Sequence, residues 1–302
     1  MMNTEVSKLK RLLLVALLVV VVTTLSFGQT RLNVGAKNFT EQYIVSSMIS
    51  QLLRDAGFRV TESFGMSSFV ARSALETGQI DLYADYTGTA WPTYLGHEKM
   101  IRDPLALYEA VKAEDLENGI VWLDMADFNN TYALAVRRDF AAEHGLQTLE
   151  DLAELTHDDP DLLFGIVYEF LERDDGFWPM SETYEFSVEK RQVKTMEIGL
   201  TYEALDKKQI DIAMVFSTDG KLEKYNLLVL EDTKNFFPSY NLAVTVRKEV
   251  LESHPEIEEI LRPISVYLTE PIMIRLNYLV DAGGYEPDEV GEGFLKGLGL
   301  ID

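Results

Sequence analysis

Two stretches of this chain are near-copies of one another, and they limit the fold more than any other feature. Ala74-Leu75-Glu76-Thr77-Gly78-Gln79-Ile80-Asp81-Leu82 returns as Ala204-Leu205-Asp206-Lys207-Lys208-Gln209-Ile210-Asp211-Ile212. Each reads as a helix end that passes through a Gln-Ile-Asp step into a strand. At the same offset each strand delivers an aromatic residue, Tyr86 and Phe216, and then meets a polar turn. The turns are Thr87-Gly88-Thr89 and Ser217-Thr218-Asp219-Gly220. A second pair echoes the first: Thr131-Tyr132-Ala133-Leu134-Ala135-Val136 resembles Ser239-Tyr240-Asn241-Leu242-Ala243-Val244. Helix-to-strand joints can look alike by chance, but two pairs in the same order speak against chance.

The repeats predict two similar α/β lobes joined by two crossing segments. Short apolar strands alternating with amphipathic helices agree with this. Leu32 to Ala36 reads as a strand. Thr40 is placed to cap a helix that carries Ile44, Met48, Leu52 and Leu53 on one face and stops at Gly57. Phe58 to Ser63 reads as a strand, Phe69 to Glu76 as a helix and Ile80 to Ala84 as a third strand. The expected division gives residues 29–130 and 242–302 to lobe 1, and residues 131–241 to lobe 2. Ligands of open α/β sheets sit beyond the strand carboxyl ends, so the site is expected in a cleft between the lobes.

The first residues read as an export signal. Lys8, Lys10 and Arg11 precede an apolar run from Leu12 to Val22, and Ser26-Phe27-Gly28 offers small residues for cleavage before Gln29. The run falls short of the roughly 20 residues a membrane-spanning helix needs. Residues 1–28 are therefore expected to be removed, leaving a periplasmic protein. The chain has no cysteine, hence neither a disulfide nor a lipid-attachment thiol, and its stability must come from its core. Its formal net charge is −23, and removal of the leader, with Glu5 against three bases, makes the remainder two charges more negative. A chain this acidic does not hold nucleic acid or anionic lipid through its general field.

Enzyme signatures do not emerge. His97, His144, His157 and His254 are scattered without zinc-ligand spacing, and no nucleophile elbow, phosphate loop or dinucleotide glycine pattern occurs. No catalytic residue, cofactor or metal is expected. The aromatic residues carry more information. Tyr86, Tyr132, Phe216 and Tyr240 stand where the repeats place the cleft. Taken singly, an aromatic residue at a strand end is more often part of a core than of a site. Together they suit a cage for a cation whose charge is spread over methyl groups, with roughly 0.5–2 kcal/mol of attraction per well-placed ring. An anionic group on the same ligand would find Lys37 beside the start of the Thr40 helix, where backbone N–H groups favour anions. Thr89 could add a hydroxyl. Arg173 lies in Glu172-Arg173-Asp174-Asp175-Gly176, where a salt bridge to a neighbouring aspartate is an equally good account.

Several segments together resemble the glycine betaine/choline/carnitine-binding proteins of ABC importers, over essentially the whole mature chain. They are Gly35-Ala36-Lys37-Asn38-Phe39-Thr40-Glu41-Gln42, Asp85-Tyr86-Thr87-Gly88-Thr89, Phe170-Leu171-Glu172-Arg173-Asp174-Asp175-Gly176, Ser217-Thr218-Asp219-Gly220, and Leu230-Glu231-Asp232 leading to Phe236-Phe237-Pro238-Ser239-Tyr240. The resemblance implies a type II periplasmic-binding-protein fold closing on a quaternary ammonium. It implies that Tyr86, Tyr132 and Tyr240 form the cage and that Lys37, Thr89 and Arg173 hold a carboxylate. Two positions depart from the family pattern. Phe216 stands for a fourth tyrosine, and Asn130 stands where some members carry an aspartate, removing a negative charge near the cage.

The expected function is that of a non-enzymatic, monomeric receptor for a quaternary-ammonium osmoprotectant such as glycine betaine. Its expected partners are a transmembrane permease subunit and the ATPase behind it. A choline- or carnitine-preferring receptor, a chemosensory binding protein and a small-metabolite enzyme are the rivals on this fold. If Lys37 and Arg173 wait unpaired for a carboxylate, a betaine should bind at least about 10-fold tighter than choline, roughly 1.4 kcal/mol. The leader yields the first test. Mass spectrometry of protein recovered from the periplasm should show a chain starting near Gln29, whereas a full-length chain held in the membrane would refute cleavage.

Overall fold

The computed structural model describes residues 30–197 and 199–302, so the leader and its cleavage site lie outside the described residues. Two five-stranded mixed sheets organise the chain. The strands are β1 (Arg31–Lys37), β2 (Arg59–Met66), β3 (Leu82–Tyr86), β4 (Ile120–Asn129), β5 (Tyr132–Arg137), β6 (Phe164–Val167), β7 (Val193–Met196), β8 (Ile212–Phe216), β9 (Leu227–Val229) and β10 (Asn241–Arg247). One sheet has the order β2-β1-β3-β10-β4 and the other β7-β6-β8-β5-β9. In each, three parallel strands are followed by a strand running antiparallel to the third. β10 and β5 hold this position, and each is contributed by chain arriving from the other sheet.

The sequence explains these elements locally. β3 and β8 are buried along their whole length, as strands covered by helices on both faces must be. The helix Thr40–Asp55 buries Ile44, Val45, Met48, Ile49, Leu52 and Leu53 against the first sheet and against the C-terminal helices. It ends where Gly57 adopts φ +94°, a left-handed conformation that glycine takes without strain. The expected capping role of Thr40 is corrected. Phe39 is the N-cap residue and caps with no side-chain bond, while the Thr40 hydroxyl donates to Asp281 Oδ1 at 2.8 Å.

The register amends the second repeat. Tyr132 lies opposite Phe216, yet Leu242 rather than Tyr240 lies opposite Tyr86. The matching tyrosines are therefore two positions out of step in the ladders, and Asn130 is the ladder equivalent of Tyr240. A slip of two keeps side chains on the same face, so the tyrosines still look the same way. The strand ends stay in step. Arg137 donates to the carbonyls of Leu205 and Ile210, and Arg247 approaches Asp81 at 3.4 Å in the other copy.

The chain leaves the first sheet at Asn130 and Thr131 and returns through the segment after β9. The crossings are bonded to each other: Asn130 N donates to Tyr240 O at 3.1 Å, and Tyr240 N to Asn129 Oδ1 at 2.7 Å. Away from the crossings the lobes also touch, with Ser68 N donating to Glu169 Oε2 at 3.2 Å and Lys224 Nζ to the Asp281 carbonyl at 2.6 Å.

One buried ion pair anchors the first lobe. Arg72 grips Asp115 through two 2.6 Å bonds, and Trp122 Nε1 donates to the same carboxylate at 2.8 Å. Asp115 is fully buried, so truncating Arg72 leaves a charge without a partner. Arg72→Met should destabilise the protein by about 3–5 kcal/mol in urea unfolding. A loss below about 1 kcal/mol would show that the pair is not an anchor.

Candidate functional site

A cavity of about 740 Å³ opens between the two sheets. Its walls include Lys37, Tyr86, Thr89, Asn130, Tyr132, Phe216 and Tyr240, which is every residue singled out above except Arg173. Tyr86 and Phe216 arrive as the last residues of β3 and β8, and Tyr132 as the first of β5. Tyr240 closes the second crossing segment just before β10. Gly88 allows this approach. A Cβ there would stand 2.7 Å from Tyr240 Cδ1 and 2.8 Å from Ser239 O.

The rings form a continuous wall. Tyr132 lies 5.0 Å from Phe216 and 5.5 Å from Tyr240, edge-on to the latter. Phe39 extends the wall, stacked on Phe216 at 5.0 Å and 6.2 Å from Tyr86. Sequence reasoning quoted Phe39 only as part of a motif; its place directly after β1, beside Lys37, was the signal available. Phe170, which sequence reasoning likewise left unassigned, stacks on Tyr132 at 4.7 Å.

Two of the phenol groups are anchored. Tyr86 Oη donates to Glu41 Oε1 at 2.7 Å, and Tyr240 Oη to Asp175 Oδ2 at 2.5 Å. Burial, followed by the adjacent carboxylates, pushes both phenols well above the ordinary tyrosine range. Both therefore stay protonated and act as donors. Phe216 has no hydroxyl, and its backbone N–H donates to the Tyr202 hydroxyl at 3.1 Å.

The two expected anion-holding cations are both already paired. Lys37 Nζ lies 2.5 Å from Asp85 Oδ1, with both side chains buried. Arg173 stands behind the ring wall, 5.1 Å from the Tyr132 centroid, and grips Asp175 through two 2.6 Å bonds. The salt-bridge account of Arg173 is thus correct as to its partner, though the pair is buried rather than superficial. Burial opposes the guanidinium charge, and Tyr132 and Asp175 more than offset it. Arg173 Nη1 is the remaining donor: it is buried, has no hydrogen-bond partner, and comes no closer than 3.9 Å to Glu169 Oε1. The picture of two unpaired cations awaiting a carboxylate is therefore corrected.

Position 130 carries no charge, but a carboxylate lies close to it. Asn130 Nδ2 donates at 2.9 Å to Glu41 Oε1, so a carboxylate stands directly behind the amide. Sequence reasoning missed Glu41 and Asp85 because a surplus of acids gives no single one prominence, and it did not tell Asp175 from Asp174 as the partner of Arg173. None of the four histidines lines the cavity. Among the described residues no cluster suited to a metal ion occurs, and no helix is long and apolar enough to cross a membrane.

Comparison with known proteins agrees with this architecture. The family model described as the substrate binding domain of ABC-type glycine betaine transport systems matches residues 30–297. A glycine-betaine-binding protein of Pseudomonas aeruginosa is 38% identical over 277 residues, covering 90% of this chain and 89% of that protein. A carnitine transport binding protein of Listeria monocytogenes is 34% identical over 271 residues, covering 88% of this chain and 86% of its own. A crystal structure of a glycine betaine/carnitine/choline ABC transporter protein superimposes with a TM-score of 0.71 at 31% identity, over 90% of this chain and 100% of that one.

Proposed function

Since the chain belongs to the family of substrate-binding domains of ABC-type glycine betaine transport systems, we propose that it captures a quaternary-ammonium osmoprotectant, glycine betaine or a close relative, for import. The observation that carries this reading is the wall of packed rings, Phe39, Tyr86, Tyr132, Phe216 and Tyr240, around a cavity between two lobes. A trimethylammonium group offers no N–H donors. It gains instead from ring faces and from apolar contact, and a dry ring over a cation reaches about 2 kcal/mol. The ligand's carboxylate takes the free Nη1 of Arg173, with the Lys37–Asp85 pair and the Thr89 hydroxyl nearby.

In this reading residues 29–130 with 242–302 form one lobe and residues 131–241 the other, and both turn about the bonded crossings as the ligand enters. The receptor acts outside the cytoplasmic membrane, as a freely diffusing periplasmic monomer, and hands its ligand to a permease subunit coupled to an ATPase. One relative is named a glycine-betaine-binding protein and another a carnitine transport binding protein, which supports a part in transport.

The paired cations narrow the expected choice between ligands. Because Asp85 and Asp175 already neutralise Lys37 and Arg173, a ligand without a carboxylate leaves no bare cation behind. Calorimetry against glycine betaine, choline, carnitine, proline betaine and ectoine should therefore show quaternary ammonium binding with betaine ahead of choline by less than about 10-fold, or roughly 1.4 kcal/mol. Tyr132→Ala should weaken betaine by about 1–2 kcal/mol. Failure of every quaternary ammonium in the panel to bind would refute the reading.

A further inference from the structure

Among the described residues six acidic side chains are buried: Glu41, Asp85, Asp115, Asp175, Asp219 and Asp281. Four have a lysine or arginine within salt-bridge distance: Asp85 pairs with Lys37, Asp115 with Arg72, Asp175 with Arg173 and Asp281 with Lys221. Glu41 and Asp219 do not, and only Glu41 is bonded to side chains that line the cavity. Its carboxylate is held by neutral donors alone. Tyr86 Oη at 2.7 Å and Asn130 Nδ2 at 2.9 Å reach Oε1, while Thr218 Oγ1 at 2.6 Å and Asn277 Nδ2 at 3.1 Å reach Oε2.

We propose that Glu41 is the counter-charge of the captured ammonium, acting through Asn130 as a positioning and specificity-determining residue of the cage. This rests on the functional reading above and deepens it. A buried carboxylate with no cationic partner is costly, and four hydrogen bonds offset only part of that cost. The ligand's own cation supplies the missing partner. A second observation points the same way: Asn130 Oδ1 lies buried on the cavity wall with no hydrogen-bond partner. Its amide nitrogen is committed to Glu41, so the amide is fixed with its oxygen, the negative end, turned from the glutamate. That oxygen needs no donor from a ligand whose methyl groups carry spread positive charge.

Glu41 also fixes the wall. It ties Tyr86, from one lobe, to Thr218, which follows Phe216 in the other. The negative pole is thereby complete only when both lobes are in place. Burial raises the Glu41 pKa against the pull of its four donors, and an arriving cation favours the ionised form.

The test compares glycine betaine with 3,3-dimethylbutanoate, in which a neutral tert-butyl group replaces trimethylammonium at nearly the same shape. Both are titrated into the full mature protein and into the E41Q and E41Q/N130D variants, with thermal unfolding recorded for each. The preference of the wild type for betaine over the neutral isostere should fall at least 10-fold in E41Q, and E41Q/N130D, which returns one carboxylate beside the cage, should recover most of it. A purely structural role would weaken both ligands by the same factor, and that outcome, or an unchanged preference, would overturn the proposal. Loss of folding in E41Q with normal folding and preference in E41Q/N130D would still support it, because charge alone distinguishes the two. If the wild type binds no betaine, the functional reading falls and takes this inference with it.

Discussion

The placement of one antiparallel strand beside the third parallel strand of each sheet governs the rest of this molecule. β3 and β8 are short and wholly buried, so their carboxyl ends cannot wander, and they deliver Tyr86 and Phe216 to fixed points. β10 and β5 run back along them after crossing from the opposite sheet. The crossing segments are thus bound to both strand ends and to each other. Tyr132 and Tyr240 lie on those segments, and the ring wall is a direct product of the ladder. In the proposed function, rotation of the lobes would bend the chain at the residues that carry two of the rings and so couple ligand contact to closure.

Charge is handled within this frame by local neutralisation. Lys37 and Arg173 lie deep, where an unpaired charge would cost several kcal/mol, and each has an aspartate at hydrogen-bond distance. The same aspartates hold other wall elements. Asp175 accepts from the Tyr240 hydroxyl, and Asp85 accepts from the Tyr83 hydroxyl and the Tyr86 backbone N–H. The pairs are shared supports as well as ion pairs. Around the ring wall, Arg173 Nη1 is left without a hydrogen-bond partner, and Glu41, whose carboxylate binds two of the cavity-lining side chains, lacks a cation. A zwitterion with a spread cation and a compact carboxylate complements that pair of deficits.

Much of the fold was legible in the sequence, since the repeats mark corresponding strands of two similar lobes, though not the order of strands within each sheet. The Gln-Ile-Asp step placed β3 and β8 and their terminal rings correctly, because a buried strand admits little variation in pattern. The Thr-Tyr and Ser-Tyr echo placed the crossings but misjudged the register by two residues, since alternation repeats at every second position. Of the cavity-lining residues, Tyr86, Tyr132, Phe216 and Tyr240 follow from the repeats, Lys37 and Thr89 from their places after the first strand and in the turn after Tyr86, and Asn130 from resemblance to a family; the cavity gathers them. Their partners were not legible. Glu41 and Asp85 are two acids among many in the chain, and only folding reveals that they lie next to a phenol and a buried cation; an aspartate beside Arg173 was readable, but not that Asp175 also holds the Tyr240 hydroxyl. The capping residue of the Thr40–Asp55 helix was missed for a related reason: the Thr40 hydroxyl is drawn to Asp281, far away in sequence.

The central claim is that the ring wall receives an ammonium group while Arg173 receives its carboxylate. A crystal structure of the mature protein with glycine betaine tests this directly. The nitrogen should lie among the faces of Tyr86, Tyr132, Phe216 and Tyr240, with a carboxylate oxygen within hydrogen-bond distance of Arg173 Nη1. A betaine bound outside the rings, or with its carboxylate turned toward Asn130 and Glu41, would contradict the account.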